Sequence, residues 1–285
     1  MDDILVIFNP AARSERARGF LERIAALPRA HLRPTTAPGD ARRLAEEGAR
    51  SGARVIVAAG GDGTINDVVN GLAGSDAALG ILPVGTMNVF AAELGLPSDL
   101  DEAWEIIAAG HTRIIDLAQA NDHMFVQLAG IGFDAQVVEA TSWDWKKNFG
   151  PLSYLVAAAQ IAAQKPPLIA VESGGSTQEG SFVLIGNGRY YGAPIKVFKE
   201  AKLDDGLLDV LILKNLSYLD IARYLTGIFT GMHTAFEDIE HFQTDEVRVH
   251  SLQDVPVEVD GELFGKLPVT FRIAPHRLRV VVDYS

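Results

Sequence analysis

The amino-acid sequence predicts an α/β domain followed by a β-rich one, with the change of pattern near residue 118. Two observations carry this. Residues 1–118 alternate short, continuous apolar runs with amphipathic segments, the pattern of a parallel sheet covered by helices on both faces, hence a doubly wound domain. Residues 119–285 instead read mostly as short strands separated by Asp-Gly and Gly-rich turns, which points to antiparallel pairing in a β-sandwich. The chain length of 285 residues suits two domains at roughly 150 residues each.

Taken in order, Ile4–Phe8 is an apolar run closed by Asn9-Pro10, a strand buried on both faces. Phe20, Leu21, Ile24 and Leu27 give the stretch from Arg13 to Leu27 a helical spacing. Asp40 suits the cap of a second helix ending near Ser51-Gly52. Val55–Ala59 is a strand, Ile65–Leu72 a helix, Leu79–Leu82 a strand, and Pro83–Thr86 a turn into a helix over Met87–Leu94. Strands then follow at Met124–Leu128, Leu168–Glu172, Ser181–Ile185, Leu207–Leu213, Glu246–Val249, Val257–Val259, Val269–Ile273 and Leu278–Val282. Helices at Ser153–Gln164 and Ser217–Phe229 interrupt them. The final strand has the option of returning to the N-terminal domain.

Composition excludes several functions. Lys plus Arg is 25 against 37 Asp plus Glu, a net charge of −12, which speaks against a nucleic-acid partner. With no cysteine, thiol catalysis, zinc ribbons and disulfides are out. The N-terminus lacks a basic signal-peptide start, and no apolar run approaches the roughly 18 residues of a membrane span; a soluble, cytoplasmic protein is expected. No lysine precedes Lys146, so a nucleotide site in the first half must work without a P-loop lysine. A monomer and a homodimer both fit.

The strongest chemical signal is the stretch VIVAAGGDGTINDV, Val55 to Val68. It is a strand, a glycine-rich turn and a helix. Glycines let the backbone approach a phosphate, and the first N–H groups of the helix supply donors. Asp62 among them would repel phosphate unless a divalent cation intervenes, which suggests a metal–nucleotide complex. A tight βα turn with an Asp cap explains the same residues structurally.

These residues resemble the GGDGT motif shared by diacylglycerol kinases, sphingosine kinases and NAD kinases and, in variant form, by phosphofructokinases. The rest of the chain is similar to the lipid kinases: Asn9-Pro10, the segment GILPVGTMNVFA from Gly80 to Ala91, AGIGFDA from Ala129 to Ala135, AKLDDGLLDV from Ala201 to Val210, and VDGE from Val259 to Glu262. In that order they cover nearly the whole chain, which thus resembles a soluble bacterial diacylglycerol kinase-like lipid kinase.

The resemblance implies a Rossmann-like, phosphofructokinase-like N-terminal domain, ATP and Mg²⁺ as cofactors, and transfer of a γ-phosphate to a lipid hydroxyl at a membrane surface. It carries Asn9, Thr35, Gly61, Asp62, Gly63, Thr64, Asn66 and Thr86 to the ATP site. Glu262 becomes the proton acceptor, with Asp260 beside it and Asp62 holding the metal-bound triphosphate. Lys202, Asp205 and Leu207 match a second Mg²⁺ site, built from two backbone carbonyls and one carboxylate, and Asp134 matches an acid near the catalytic metal. Each has a plainer reading: an Asp-Gly hairpin turn for Asp260-Gly261 and for Asp205-Gly206, a helix cap for Thr86 and Asn88, a turn Asp for Asp134. The family's Asp and Arg after GTxN are replaced by Val89 and Ala92, and Ser-Gly-Lys/Arg after Asn-Pro by Ala11-Ala12-Arg13; these departures bear on the acceptor more than on ATP. Arg13 and Arg16 are the arginines near enough in sequence to meet phosphoryl charge.

A kinase for a lipid must touch a bilayer. Trp143, Trp145 and Phe149 with Lys146 and Lys147, next to the apolar Leu152–Ala163 stretch, suit an interfacial lip, and a core helix with its capping loop explains them equally. An NAD kinase, or a non-catalytic nucleotide or lipid sensor on the same fold, are the alternative functions.

Overall fold

The computed structural model describes residues 4–10, 19, 22, 23, 25, 26, 29–133, 135, 166–192 and 195–283. Most of the helix expected over Arg13–Leu27 lies outside the described residues, including Arg13 and Arg16. So do Asp134, the Trp143–Phe149 loop and the helix expected over Ser153–Gln164.

The chain opens with β1 (Ile4–Phe8), β2 (Ala30–Pro34), α1 (Asp40–Arg50), β3 (Val55–Gly60), α2 (Asp62–Leu72), β4 (Ala78–Pro83), α3 (Val89–Glu93), α4 (Leu100–Ala109) and β5 (Thr112–Ala120). Strands β2-β1-β3-β4 pair in parallel. Alternation along each strand builds two cores. Ile7, Ile56 and Ala58 pack with Ile65, Val69 and Leu72 of α2 on one face. Val6, Phe8, Val57 and Ala59 pack with Trp104 and Ile107 of α4 on the other. Continuous apolar runs are what a strand covered on both faces requires.

The second half contains β6 (His123–Phe125), β7 (Leu128–Gly132), β8 (Ile169–Ser173), β9 (Ser176–Gly180), β10 (Phe182–Gly186), β11 (Tyr190–Tyr191), β12 (Ile195–Lys196) and β13 (Leu208–Leu213). These are followed by α5 (Tyr218–Thr230), β14 (Ile239–Thr244), β15 (Glu246–His250), β16 (Pro256–Val259), β17 (Glu262–Lys266) and β18 (Val269–Val281). The antiparallel sheet β14-β13-β10-β7-β16-β17 faces β18, β15 and β8 across a dry core that includes Ile131, Val171, Val183, Val210, Val247, Val257 and Phe271. An N-terminal mixed α/β sheet domain and a C-terminal antiparallel β-sheet domain are thus the architecture, as the sequence pattern predicts.

The sequence reading names no strand at β2, β5, β9, β11, β12, β14 or β17 and no helix at α4, and it starts α2 at Ile65 rather than Asp62; other elements differ in detail. The single strand expected over Met124–Leu128 is two, because the N–H groups of Val126, Gln127 and Leu128 turn to the carboxylate of Asp260. The helix expected from Met87 starts at Val89, since Asn88 adopts a left-handed conformation with φ 51°. Asp40 is the first residue of α1 rather than its cap; Gly39 caps, and the Asp40 carboxylate accepts from Thr36 and Ala37 instead. Finally, the two strands expected at Val269–Ile273 and Leu278–Val282 form one strand with a register shift between Ile273 and Arg277. Its first part pairs with β15 and its end runs parallel to β4. Strand β18 therefore joins both halves into one ten-stranded sheet.

Candidate active site

The carboxyl edge of a parallel sheet is where an open α/β fold exposes its loops and helix N-termini. Asn9 follows β1, and its Nδ2 donates to Thr64 Oγ1 at 3.2 Å. Thr35 follows β2, buried, its N–H donating to the Phe8 carbonyl at 2.8 Å. Gly60-Gly61 ends β3, and the Gly85 N–H of the next turn donates to the Gly60 carbonyl at 3.1 Å. A Cβ at Gly85 would strike the Gly61 backbone, so two glycine turns pack main chain on main chain. Asn88 staples the second turn: its Oδ1 accepts from Gly85 N–H and its Nδ2 donates to the carbonyls of Pro83 and Gly85. Thr86 stays exposed at the tip.

From the opposite side arrives the β16–β17 turn. Val259 pairs with Glu262, and the two residues between, Asp260 and Gly261, have φ of 48° and 84°, the type I′ signature that Asp-Gly favours. The plain hairpin reading of these residues is thus correct locally, yet the turn does more. Asp260 Oδ1 accepts from the N–H groups of Gln127 (2.9 Å) and Leu128 (3.2 Å). Its Oδ2 accepts from Val126 N–H (3.0 Å) and Asn66 Nδ2 (2.8 Å). The turn is thereby clamped to α2. Glu262 stands exposed at the start of β17, and its Oε1 occupies the space where a side chain at Gly63 would begin. Any side chain there would displace the carboxylate.

Asp62, the first residue of α2, turns its Oδ1 toward the Phe90 N–H at 3.4 Å. Burial raises its pKa, the backbone N–H groups of residues 88–90 oppose this, and the charge of Asp260 adds to the rise. Asp260 is also pushed up by burial, against its four donors. Two carboxylates destabilised as anions at one helix start form a site that a cation would relieve.

Between these groups opens a cavity of about 550 Å³. Asp62, Gly63, Asp260 and Glu262 form one end, and Met87, Val89, Phe90, Leu128, Tyr191 and Ile195 give apolar walls. Val89 therefore puts an apolar side chain beside the acids. An exposed carboxylate, a buried one beside a glycine turn, and an apolar chamber suit deprotonation of a hydroxyl carried by an apolar molecule.

The structure brings together Asn9, Gly61, Asp62, Gly63, Thr64, Asn66, Asp260 and Glu262. Asn66 faces the hairpin: besides Asp260, its Nδ2 reaches the Met124 carbonyl at 3.1 Å, and its Oδ1 meets His123 Nε2 at 3.0 Å. Two residues beyond those the motifs point to adjoin the site: His123, whose pKa is lowered, mostly by burial, and Glu93. The latter is buried, and both its oxygens take Arg189, at 2.7 Å from Nε and 2.8 Å from N–H. An acid in the apolar stretch FAAEL was the available signal, since a buried Glu is almost always paired.

Lys202, Asp205 and Leu207 lie apart from this cluster. Asp205 Oδ1 accepts from Leu207 N–H at 3.1 Å. Neighbouring Asp116 is held by Gly206 N–H and Arg277, and Asp209 by His241 and Gln243. Burial raises the Asp205 pKa, the Leu207 N–H opposes this, and the charges of Asp209 and Asp116 add to the rise.

Residues 3–120 match the diacylglycerol kinase catalytic domain, and residues 128–282 the YegS C-terminal NAD kinase beta sandwich-like domain. A diacylglycerol kinase of Staphylococcus aureus (strain bovine RF122 / ET3-1) is 30% identical over 276 residues, 93% of this chain and 88% of the relative. One of Staphylococcus epidermidis (strain ATCC 12228 / FDA PCI 1200) is 31% identical over 93% of this chain and 87% of its own. The crystal structure of a diacylglycerol kinase from Bacillus anthracis str. Sterne superposes with a TM-score of 0.74 at 25% identity, covering 99% of this chain and 97% of that one.

Proposed function

The chain belongs to the diacylglycerol kinase family of lipid kinases, phosphotransferases that use ATP, and on that premise we propose that it transfers the γ-phosphate to the free hydroxyl of diacylglycerol, yielding phosphatidic acid. The observation that carries this is Glu262, exposed against Gly63 at the acidic end of an apolar cavity. An acceptor with acyl chains fills such walls and leaves its hydroxyl at the carboxylates. Glu262 takes the hydroxyl proton as the oxygen attacks phosphorus. Asp260 is a positioning residue, because its carboxylate is engaged by four donors. Asn9, Thr35, Gly61, Gly63, Thr64 and Thr86 line the ATP side, where backbone N–H groups meet the phosphates, and Asn66 links that side to the turn.

The donor chemistry fits Mg²⁺. Asp62 would hold it, and the ion supplies charge neutralisation between the triphosphate and the carboxylates. Lys202 and Leu207 through their carbonyls and Asp205 through its carboxylate would hold a second ion. For that site, Asp205→Asn is expected to remove one Mg²⁺ equivalent from a calorimetric titration while leaving the ATP-dependent one. An unchanged stoichiometry refutes it.

The reading is tested by following labelled γ-phosphate from ATP into diacylglycerol, monoacylglycerol, sphingosine, phosphatidylglycerol and NAD. Diacylglycerol is expected to carry the label. Label on another acceptor replaces the substrate, and label on NAD alone overturns lipid phosphorylation.

The charge arrangement carries a further expectation. Because the folded pKa of Asp62 lies above its unfolded value, its contribution to stability is present at low pH and is lost as pH rises through the folded pKa. Asp62→Asn keeps an oxygen for the Phe90 N–H and removes the buried charge. At pH 7 the variant is expected to melt at the same temperature as wild type or higher, and below about pH 3.9, where the wild-type group is protonated in both states, the difference vanishes. Its kcat is expected to fall at least about a hundredfold. Melting curves at both pH values check the sign.

A further inference from the structure

The amphipathic helix α5 leaves its outer face uncovered. Tyr224, Gly227 and Ile228 pack inward. Tyr218, Leu219, Ala222, Leu225 and Phe229 point outward, and Met232 follows just past the helix end. Leu219 is 83% exposed, Phe229 71% and Met232 62%. Spacings of four, three, four and three residues from Tyr218 through Ala222, Leu225 and Phe229 to Met232 make one stripe. Thr226 and Thr230 share this face, and each turns its hydroxyl back to a helix carbonyl, at 2.8 Å in both cases, so neither presents a free donor. The charged residues of the helix are Asp220 and Arg223. They pair with each other, and Arg223 also pairs with Asp238, at the polar edge. A scattered exposed leucine is ordinary, whereas a contiguous apolar face marks an interaction site.

What covers the face follows from its neighbours. Helix α5 packs on β12, and Ile228 shares a cluster with Tyr191 and Ile195, both of which line the cavity. Through its inward face the helix thus sits against the wall of the apolar chamber. Beside it the acidic chain turns basic. From Lys196 to Lys202 there are Lys196, Lys199 and Lys202 against Glu200 alone, Arg189 being paired with Glu93. Lys199 Nζ donates to the Gly231 carbonyl at the end of α5. Lys196 lies 5.6 Å from the centre of the Tyr190 ring and has no acidic partner among the described residues.

Resting on the lipid-kinase reading, we propose that the outer face of α5, with Lys196 and Lys199 at its edge, is the surface that docks on a bilayer containing anionic lipid. Leu219, Leu225, Phe229 and Met232 enter the acyl boundary while the lysines meet headgroup phosphates. The cavity mouth then faces the leaflet, and an acceptor moves into the chamber without crossing water.

The test uses the full chain and sedimentation with vesicles of equal parts phosphatidylcholine and phosphatidylglycerol, compared with phosphatidylcholine alone. Leu219→Gln with Phe229→Gln replaces two solvent-exposed side chains, so folding is expected to persist, as circular dichroism checks. Binding is expected to weaken at least about tenfold, with phosphorylation of a short-chain acceptor dissolved in water unchanged. Lys196→Gln with Lys199→Gln is expected to abolish the preference for phosphatidylglycerol. Vesicle binding that survives the first pair overturns the proposal. So does a wild-type dimer that the same pair converts to monomer while vesicle binding is kept, which would assign the face to a second copy. Wild type that binds vesicles yet labels no lipid leaves the docking surface standing and overturns the acceptor instead.

Discussion

Glu262→Gln is expected to lower kcat by about 10²–10⁴, the range of a lost general base, while ATP affinity stays within about twofold because the proposed nucleotide groups do not include Glu262. The amide keeps the size and the hydrogen-bonding outline of the side chain, so the space it fills against Gly63 is unchanged. Exposure at a strand start makes the fold insensitive: the melting temperature is expected within a degree or two, since surface changes are usually within about 0.5 kcal/mol. Single-turnover transfer with saturating ATP, alongside nucleotide binding by calorimetry, separates the two effects. Transfer at the wild-type rate would remove Glu262 from the chemistry.

Asp260→Ala is expected to act in the reverse order, on stability first. Truncation leaves the N–H groups of Val126, Gln127 and Leu128 and the Asn66 amide without their acceptor, and unsatisfied donors in a partly buried place cost about 2–4 kcal/mol together. Alanine also fits poorly at a φ of 48°, adding to the loss. Activity falls as well, because the turn that presents Glu262 loses its clamp to α2. Asp260→Asn keeps the turn preference and one oxygen and is expected to recover part of the stability. Urea denaturation of the two variants measures this; equal stability to wild type in both would show the carboxylate to be no clamp.

The contrast between these two residues illustrates what a sequence conveys. Asp260 and Glu262 are adjacent in one short motif, and both are acids suited to proton transfer. Only the geometry separates the buried carboxylate that accepts four hydrogen bonds from the exposed one that rests against Gly63. The same holds for Asn66. It sits just past the GGDGT stretch, yet its amide reaches a hairpin 194 residues away. Glu93 and His123 escaped notice because each is made significant by a distant partner, Arg189 and Asn66 respectively.

Local pattern was sufficient wherever the cause is local. Two-sided burial writes continuous apolar runs into β1, β3 and β4, and the GGDGT stretch announces a strand, a turn and a helix start in their true order. The Asp260-Gly261 hairpin turn is likewise readable from neighbours in the chain. What periodicity omits is any force acting between distant segments. The break between β6 and β7 arises from a carboxylate more than 130 residues away. Fusion of two expected strands into β18 arises because a single strand pairs with β5 in both its parts and, on its other edge, first with β15 and then with β4. The two-sided strands β1, β3 and β4 and the tight turns were thus determined by the sequence itself, since they depend on nearest-neighbour sterics and the need to bury apolar side chains. The site was decided by tertiary structure, because long-range strand pairing and buried hydrogen bonds bring the Glu262 hairpin against Gly63.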